Sequence, residues 1–374
     1  MLENRYQICS NCVMDTTDRA IEFDESGVCC HCHHYHNRIK TEIPFDRKEK
    51  LEQLIKRIKQ QGRGKEYDCI VGISGGVDSA VAACTAKQMG LRPLAVHMDN
   101  GWNAELAVAN VERVLKGLDI DLHTHVLDWE EFRDLQCSFL RSSLANAEIP
   151  TDHAILASLY KIATRLKIQY IISGSNIVTE AIMPGSWMYD ATDLKLIKDI
   201  HRKFGQFKLK TYPSYSLPKL FYWIFFKRIR FVPILNYVSY IKKDTVDMLH
   251  QEFGWRSYGA KHYESIYTRF FQSYILPRKF NIDKRKAHFS TLICSQQMSR
   301  KEALRELQSE PCSPQQIEED REFVIKKLQL SEQEFKDIME APIKTFKDYS
   351  SNHFWLNSFP SIIKFIKKIG TDRK

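Results

Sequence analysis

Two clusters of residues in this chain have types and spacings that could do chemistry. The first is Val71 to Ser79 (VGISGGVDS), where an apolar run meets a glycine-rich turn and then an alanine-rich stretch. Glycines let the backbone approach a ligand closely, and a helix starting there aims free N–H groups and its positive dipole end at an anion. The expected occupant is a nucleotide phosphate. The second is the pair Cys9-x-x-Cys12 and Cys29-x-x-Cys32, separated by sixteen residues. Two knuckles at this spacing can close four thiolates around one tetrahedral zinc, which contributes folding energy that a small module lacks. The alternative is four unpaired reduced thiols, against which stands the repeated two-residue gap. A zinc held by four thiolates has no open position, so a structural site is expected. His31, His33, His34 and His36 crowd the second knuckle and Cys30 lies inside it, so one of them could replace a cysteine.

The turn itself can be narrowed. GISGGVDS lacks the Gly-Lys-Ser/Thr ending of a Walker loop and the GxGxxG of a dinucleotide fold. It does contain G-x-S-x-G at Gly72, Ser74 and Gly76, so a nucleophile elbow competes with the phosphate reading, as does a plain tight turn.

The elements that position these residues alternate. Strands are predicted at Tyr67 to Ile73, Pro93 to Met98, Leu122 to Leu127 and Gln169 to Ser173. Between them, helices are predicted over Asp78 to Met89, Asn103 to Leu118, Trp129 to Leu144 and Asp152 to Leu166. This order predicts an α/β fold, an open parallel Rossmann-like sheet with helices on both faces. Ligands of such sheets sit at the carboxyl ends of strands, so Ser74 to Ser79, Asp99 to Trp102 and Gly174 to Glu180 should line one crevice. The expected units are a four-cysteine module over 1–45, an α/β domain over 46–210 and a mainly helical region over 211–374. An amphipathic helix is expected over Lys48 to Lys59.

Composition is that of a soluble protein, with 43% hydrophobic and 27% charged residues, and 55 Lys+Arg against 46 Asp+Glu give a net charge of +9. That charge suits an anionic partner without choosing among nucleotide, nucleotide sugar, RNA or membrane surface. The N-terminal stretch MLENRYQICS shows no basic region followed by an apolar core, and the longest aromatic run, Leu220 to Phe226, is too short to span a bilayer. With ten cysteines, most of them isolated, the cytoplasm is the expected compartment.

The loop resembles the signature of PP-loop ATP pyrophosphatases, which cleave ATP between the α and β phosphates to adenylate a carbonyl-type oxygen. The likeness extends through ICSNCVMDTTD, FDESGVCCHC, HMDNGWN, PTDHA, SGSN and KHYESIYTRFFQSYILPRKFNIDKRKAH. Together these resemble the bacterial N-acetyl sugar amidotransferases of surface-polysaccharide (O-antigen, lipopolysaccharide) and nonulosonate biosynthesis, with departures at Cys30 and at Ile182-Met183-Pro184. The resemblance implies that Ser74, Gly75, Gly76, Val77 and Ser79 hold the pyrophosphate of ATP and that Asp78 helps hold Mg2+. It places Asp99 beside the adenosine. The implied reaction adenylates an acetamido oxygen of an N-acetylated, nucleotide-linked sugar, after which ammonia displaces AMP and leaves an acetamidino group. Stabilising the departing pyrophosphate needs cations. Lys261 and Arg269 are the preferred pair, with Lys284 to Lys286 as further candidates. A solvated basic helix face is the alternative for each. Asp152, Gly174, Asn176 and Glu180 are the candidates at the other strand ends, though Asp152 could simply cap its helix. His97 and His153 are expected to be structural.

No glutaminase signature is visible, so the resemblance implies ammonia from a separate glutaminase with a barrel-type partner. Pro213 to Tyr240, unusually aromatic, is expected to be buried helical core, with a docking or membrane-facing surface as the alternative. Helices are expected near Met298 to Leu307, Ser313 to Leu328 and Ser331 to Glu340. The basic tail from Ser361 suggests a short docking helix, with peripheral membrane contact as the alternative. The main rival function is a tRNA-thiolating PP-loop enzyme. Isolated cysteines and dispersed basic residues argue against it and against a nucleic-acid partner. A non-enzymatic zinc-ribbon nucleotide-binding protein is a third reading, disfavoured by the intact aspartate of SGGVDS.

Overall fold

The protein is described here from a computed structural model covering residues 6–259 and 263–352. Helix α1 (Cys30–Glu42) grows out of the second knuckle, and α2 (Arg47–Gln61) follows, burying Leu51, Leu54, Ile55 and Ile58 at helical spacing. Five parallel strands then form one sheet: β1 (Cys69–Gly72), β2 (Pro93–Asp99), β3 (Leu122–Val126), β4 (Tyr170–Ser173) and β5 (Arg230–Pro233), ordered β3-β2-β1-β4-β5. The helices α3 (Val77–Gln88), α4 (Glu105–Leu118), α5 (Trp129–Arg141) and α6 (Ile149–Arg165) make the crossovers.

Side chains alternate across β1 as a doubly covered sheet requires. Cys69, Val71 and Ile73 enter a core with α2, α3 and α4, while Ile70 enters the opposite core with Ala157, Leu159 and Ile162 of α6. Strand order reverses between β1 and β4, which puts the ligand crevice of such a sheet at their carboxyl ends.

The predicted elements stand with shifted ends, and one expectation fails. Pro213 to Tyr240 is not a continuous buried helix. It contains α9 (Leu217–Phe221), a π-helical turn at Tyr222–Phe226 and then β5, paired to β4 from Tyr170↔Arg230 to Ser173↔Pro233. The sheet therefore draws its fifth strand from beyond residue 210. Between β4 and α9 lie α7 (Ile177–Glu180) and α8 (Leu194–Phe204).

After β5, α10 (Lys242–Phe253) packs on α3 and α4. A helical run follows as α11 (Ile266–Phe270), a π-helical segment at Phe271–Ile275 and α12 (Leu276–Phe280). Next come α13 (Lys284–Cys294), α14 (Arg300–Glu306), α15 (Pro314–Leu328) and α16 (Glu332–Glu340). Ser313 caps α15, and Ser331 forms a capping box with Glu334 at the start of α16, as their spacing predicted. No helix among the described residues is long and apolar enough to cross a membrane. The basic tail from Ser361 lies outside the described residues.

Candidate active site

The turn after β1 is built for close approach. Gly75 has φ +89°, and a β-carbon there would lie 2.6 Å from the Ala107 carbonyl oxygen of α4. Across the switch point, a β-carbon on Gly174 would lie 2.5 Å from the Asp78 carbonyl group, so the turns after β1 and β4 are packed backbone to backbone. Within the loop, Ser79 Oγ donates to Gly76 O at 2.9 Å and accepts from the Ser74 N–H at 3.2 Å. Ser74 Oγ accepts from the Gly76 N–H at 3.3 Å, and the Val77 N–H reaches the Tyr258 hydroxyl. Three loop N–H groups are thus aimed at hydroxyl oxygens, acceptors that phosphate oxygens can replace. Trp255 Nε1–H donates to Gly75 O at 3.2 Å and holds the loop from outside.

Carboxylates and phenols converge beside it. The Tyr240 hydroxyl donates to Asp78 Oδ1. Burial foremost, then Asp78 and Glu180, raise the Tyr240 phenol well above its ordinary range, and burial, Glu264 and Asp78 do the same to Tyr258. The Tyr258 hydroxyl and Glu264 Oε1 both stand within 3.3 Å of where a Gly76 β-carbon would be. Among the described residues, the one set of three or more ligands close enough to enclose a metal is the cysteine cluster. A hard cation held by the Asp78 carboxylate would have to take its remaining oxygen ligands from phosphate and water. Tyr240, Tyr258 and Glu264 were not singled out from sequence. Glu264 lies inside a segment that carries the family likeness, whereas the tyrosines gave no local signal.

Asp99 ends β2 and organises its own turn, accepting from the Gly101 N–H at 2.8 Å and from Asn103 Nδ2 at 3.2 Å. His97 Nδ1–H donates to Ile73 O at 2.9 Å while Nε2 accepts from Asn103 at 3.0 Å, so its ring ties β1 to β2. Lys327 of α15 arrives at the same edge, donating to Gly101 O and lying over the Trp102 and Trp129 rings. Asn176 caps α7, accepting from the Thr179 N–H at 2.8 Å, and its own N–H donates to Glu180 Oε2 at 3.2 Å. Asp152 is not a cap. Glu148 holds that position, and Asp152 is an exposed residue in the first turn of α6, at the carboxyl edge of the sheet. Its neighbour His153 is fully buried and stacked on Tyr215, with Nδ1–H donating to Ala191 O and Nε2 accepting from the Tyr215 N–H.

Among the described residues, the predicted cations pair with carboxylates. Lys261 lies outside the described residues. Arg269 is committed to Asp320 through two bonds of 2.6 Å, with both groups largely buried, and so fastens α15 to α11. Lys284 faces Glu148 at 3.5 Å, Arg285 is bonded to Asp283 at 2.7 Å, and Lys286 to buried Asp15 at 2.5 Å. The nucleophile-elbow reading finds no support either, since Ser74 Oγ is engaged with Ser79 and the Gly76 N–H, and no histidine is among these partners.

At the N-terminus, Cys9, Cys12, Cys29 and Cys32 are buried, with their sulfurs within 4.8 Å of one another. Neighbouring pairs stand 3.9, 3.6 and 3.7 Å apart. Vertices of a tetrahedron with Zn–S bonds of about 2.3 Å are about 3.8 Å apart, so the cluster fits zinc. Backbone N–H groups of Asn11, Cys12 and Cys29 donate to Cys9 Sγ, as a thiolate cluster requires. His31 and His33 turn away to Asp18 and Asp24.

Residues 68–176 match the family model for queuosine biosynthesis protein QueC, and residues 264–363 match that for the C-terminal domain of LPS biosynthesis protein WbpG-like proteins. The chain therefore carries a segment similar to QueC and a C-terminal segment similar to the WbpG-like domain, each spanning less than a third of its length. An uncharacterized protein, MJ1599, of Methanocaldococcus jannaschii is 29% identical over 175 residues, covering 45% of this chain and 59% of that protein. The NH(3)-dependent NAD(+) synthetase of Syntrophomonas wolfei is 27% identical over 162 residues, covering 41% of this chain and 63% of that enzyme. The chain thus spans about three fifths of these relatives' length. Among solved structures, NMN synthetase from Francisella tularensis overlaps 77% of this chain and 98% of its own, at 14% identity and a TM-score of 0.37.

Proposed function

We propose that this PP-loop protein is an ATP-dependent amidotransferase acting on an acetamido group of an N-acetylated, nucleotide-linked sugar. The acetamido oxygen attacks the α-phosphorus of ATP, the α–β P–O bond breaks, and pyrophosphate departs. Ammonia then adds to the activated carbon. The C–O bond to AMP breaks, protons are lost to solvent, and an acetamidino group remains with the original oxygen on AMP. An amide is a poor electrophile with a poor leaving group, so adenylation is what makes the exchange feasible. The N–H groups of the loop after β1 would hold the pyrophosphate, Asp78 would hold Mg2+, and Asp99 at the end of β2 would lie towards the adenosine.

The observation that carries this reading is the joining, in one chain, of an intact SGGVDS loop with a C-terminal segment matching a lipopolysaccharide-biosynthesis family. The likeness to an NH3-dependent synthetase supports ammonia as the nucleophile. The ammonia is proposed to come from a separate glutaminase and its barrel-type partner, and the compartment is proposed to be the cytoplasm.

The test supplies the purified protein with ATP, Mg2+, high ammonium and a panel of diacetamido nucleotide sugars. AMP and pyrophosphate released only with a sugar are expected. Release with tRNA and with no sugar would replace this reading by the thiolation one.

A further inference from the structure

We infer that the cavity of about 350 Å³ between α13, α14 and the 309–311 segment seats the ring of the N-acetylated sugar. This inference rests on the amidotransferase reading and adds the acceptor's place. Residues 258–259 and 263–264 serve both the cavity and the loop after β1. Gly259 and Tyr263 line it, while their chain neighbours Tyr258 and Glu264 reach Gly76. Thr179 lines it from α7, one residue before Glu180. The cavity and the loop after β1 are thus joined through residues adjacent in the chain.

The lining chooses the ligand class. The wall holds three cations, Lys242, Lys284 and Arg285, of which Lys284 faces Glu148 at 3.5 Å and Arg285 is bonded to Asp283 at 2.7 Å. Arg285 also gives a guanidinium N–H to the carbonyls of Glu306 and Ser309. The carboxylates of Asp283, Glu302, Glu306 and Glu310 outnumber these cations, and the exposed three on the 302–310 side would repel a polyphosphate. Carboxylates suit a neutral ligand rich in O–H and N–H donors, which they accept from at charge-assisted strength. Apolar faces are supplied by Phe289 and Leu292 of α13 and by Tyr263, whose ring is pinned by its hydroxyl donating to Pro311 O at 3.1 Å. Fixed aromatic faces with a few polar groups, in a volume near the lower end of the roughly 300–1,000 Å³ usual for small-molecule sites, fit one sugar ring rather than a whole nucleotide sugar. The carrier nucleotide would extend outward.

The test is saturation-transfer NMR on the full chain with N-acetylglucosamine, N-acetylgalactosamine and N-acetylmannosamine, alongside calorimetry with Mg-ATP. At least one sugar should bind, and Leu292→Trp, which fills the cavity, should weaken it tenfold or more with ATP affinity within twofold. If that variant does not fold, Glu302→Gln on an exposed face should weaken the sugar threefold or more. Failure of all three sugars to bind, or equal binding by wild type and the folded variant, overturns the inference. A sugar lost with Leu292→Trp while no nucleotide sugar ever yields AMP would leave the pocket standing and sink the amidotransferase reading. Equal sugar-dependent AMP formation by wild type and Leu292→Trp would do the reverse.

Discussion

At the scale of single residues, Asp78 and His153 show how like polarity serves different ends. Asp78 is held by a phenol hydroxyl at the mouth of the loop, and an asparagine there could still accept that hydrogen bond. Asp78→Asn should therefore fold, keep its zinc and lose AMP formation by about 10²-fold or more, the order found when one charge-stabilising group is removed. Turnover within threefold of wild type would show that Asp78 is wrongly placed in the chemistry. His153 is committed to structure. It is buried with a carbonyl on one nitrogen and an N–H on the other, and burial lowers its pKa from 6.5 to about 4. The unfolded chain binds that proton more readily, so stability is full above about pH 6.5 and falls as pH drops towards 4. The fall attributable to this ring is roughly 3 kcal/mol. Melting curves between pH 7 and 4 should show a steeper loss for wild type than for His153→Gln, and parallel curves would refute the assignment.

At the scale of elements, the Arg269–Asp320 pair decides between a chemical and a mechanical role for an arginine preferred from sequence. Its two bonds join α11 to α15, which also carries Lys327 to the edge of the sheet. Removing one partner strands a buried charge, so Arg269→Met should cost about 3–5 kcal/mol, and Asp320→Leu added to it should restore most of that loss. Urea unfolding measures both, and recovered AMP formation in the double variant is the expected sign of a fastening role. A double variant that is stable yet inactive would return Arg269 to the chemistry. The pair illustrates why the sheet and its loop were legible while the partner of Arg269 was not. Alternating apolar strands, the glycine turn and the serine caps at Ser313 and Ser331 are local signals, fixed by period and by side chain-to-backbone reach. Whether an arginine meets a phosphate or a carboxylate 51 residues away depends on tertiary packing, which no window reads. The same limit hid β5, four residues long and closed by Pro233, inside an aromatic stretch that looks equally helical. It also hid Tyr240 and Tyr258, which reach the loop from 162 and 182 residues along the chain.

At the scale of the whole molecule, the cysteine module is bolted to the region that lines the proposed sugar cavity. Arg300 of α14 donates to the carbonyls of Cys9 and Cys12, Ser290 of α13 accepts from the Val13 N–H, and Lys286 of α13 pairs with Asp15. Cys294, at the end of α13, brings a fifth sulfur to 3.7 Å from Cys32. The loop after β1, by contrast, is held by α4, Trp255 and the turn after β4. Loss of zinc should then be felt first where α13 and α14 wall the proposed sugar cavity and only later at the loop after β1. Metal analysis should find one zinc per chain, falling towards zero in Cys29→Ser. That variant, or chelated wild type, should lower the melting temperature and raise KM for the sugar several-fold while the ATP affinity of the surviving folded protein changes less than twofold. Equal loss of ATP and sugar affinity would instead mean that the module supports the fold as a whole. An unchanged melting temperature without zinc would mean that the four thiols hold the knuckles without metal.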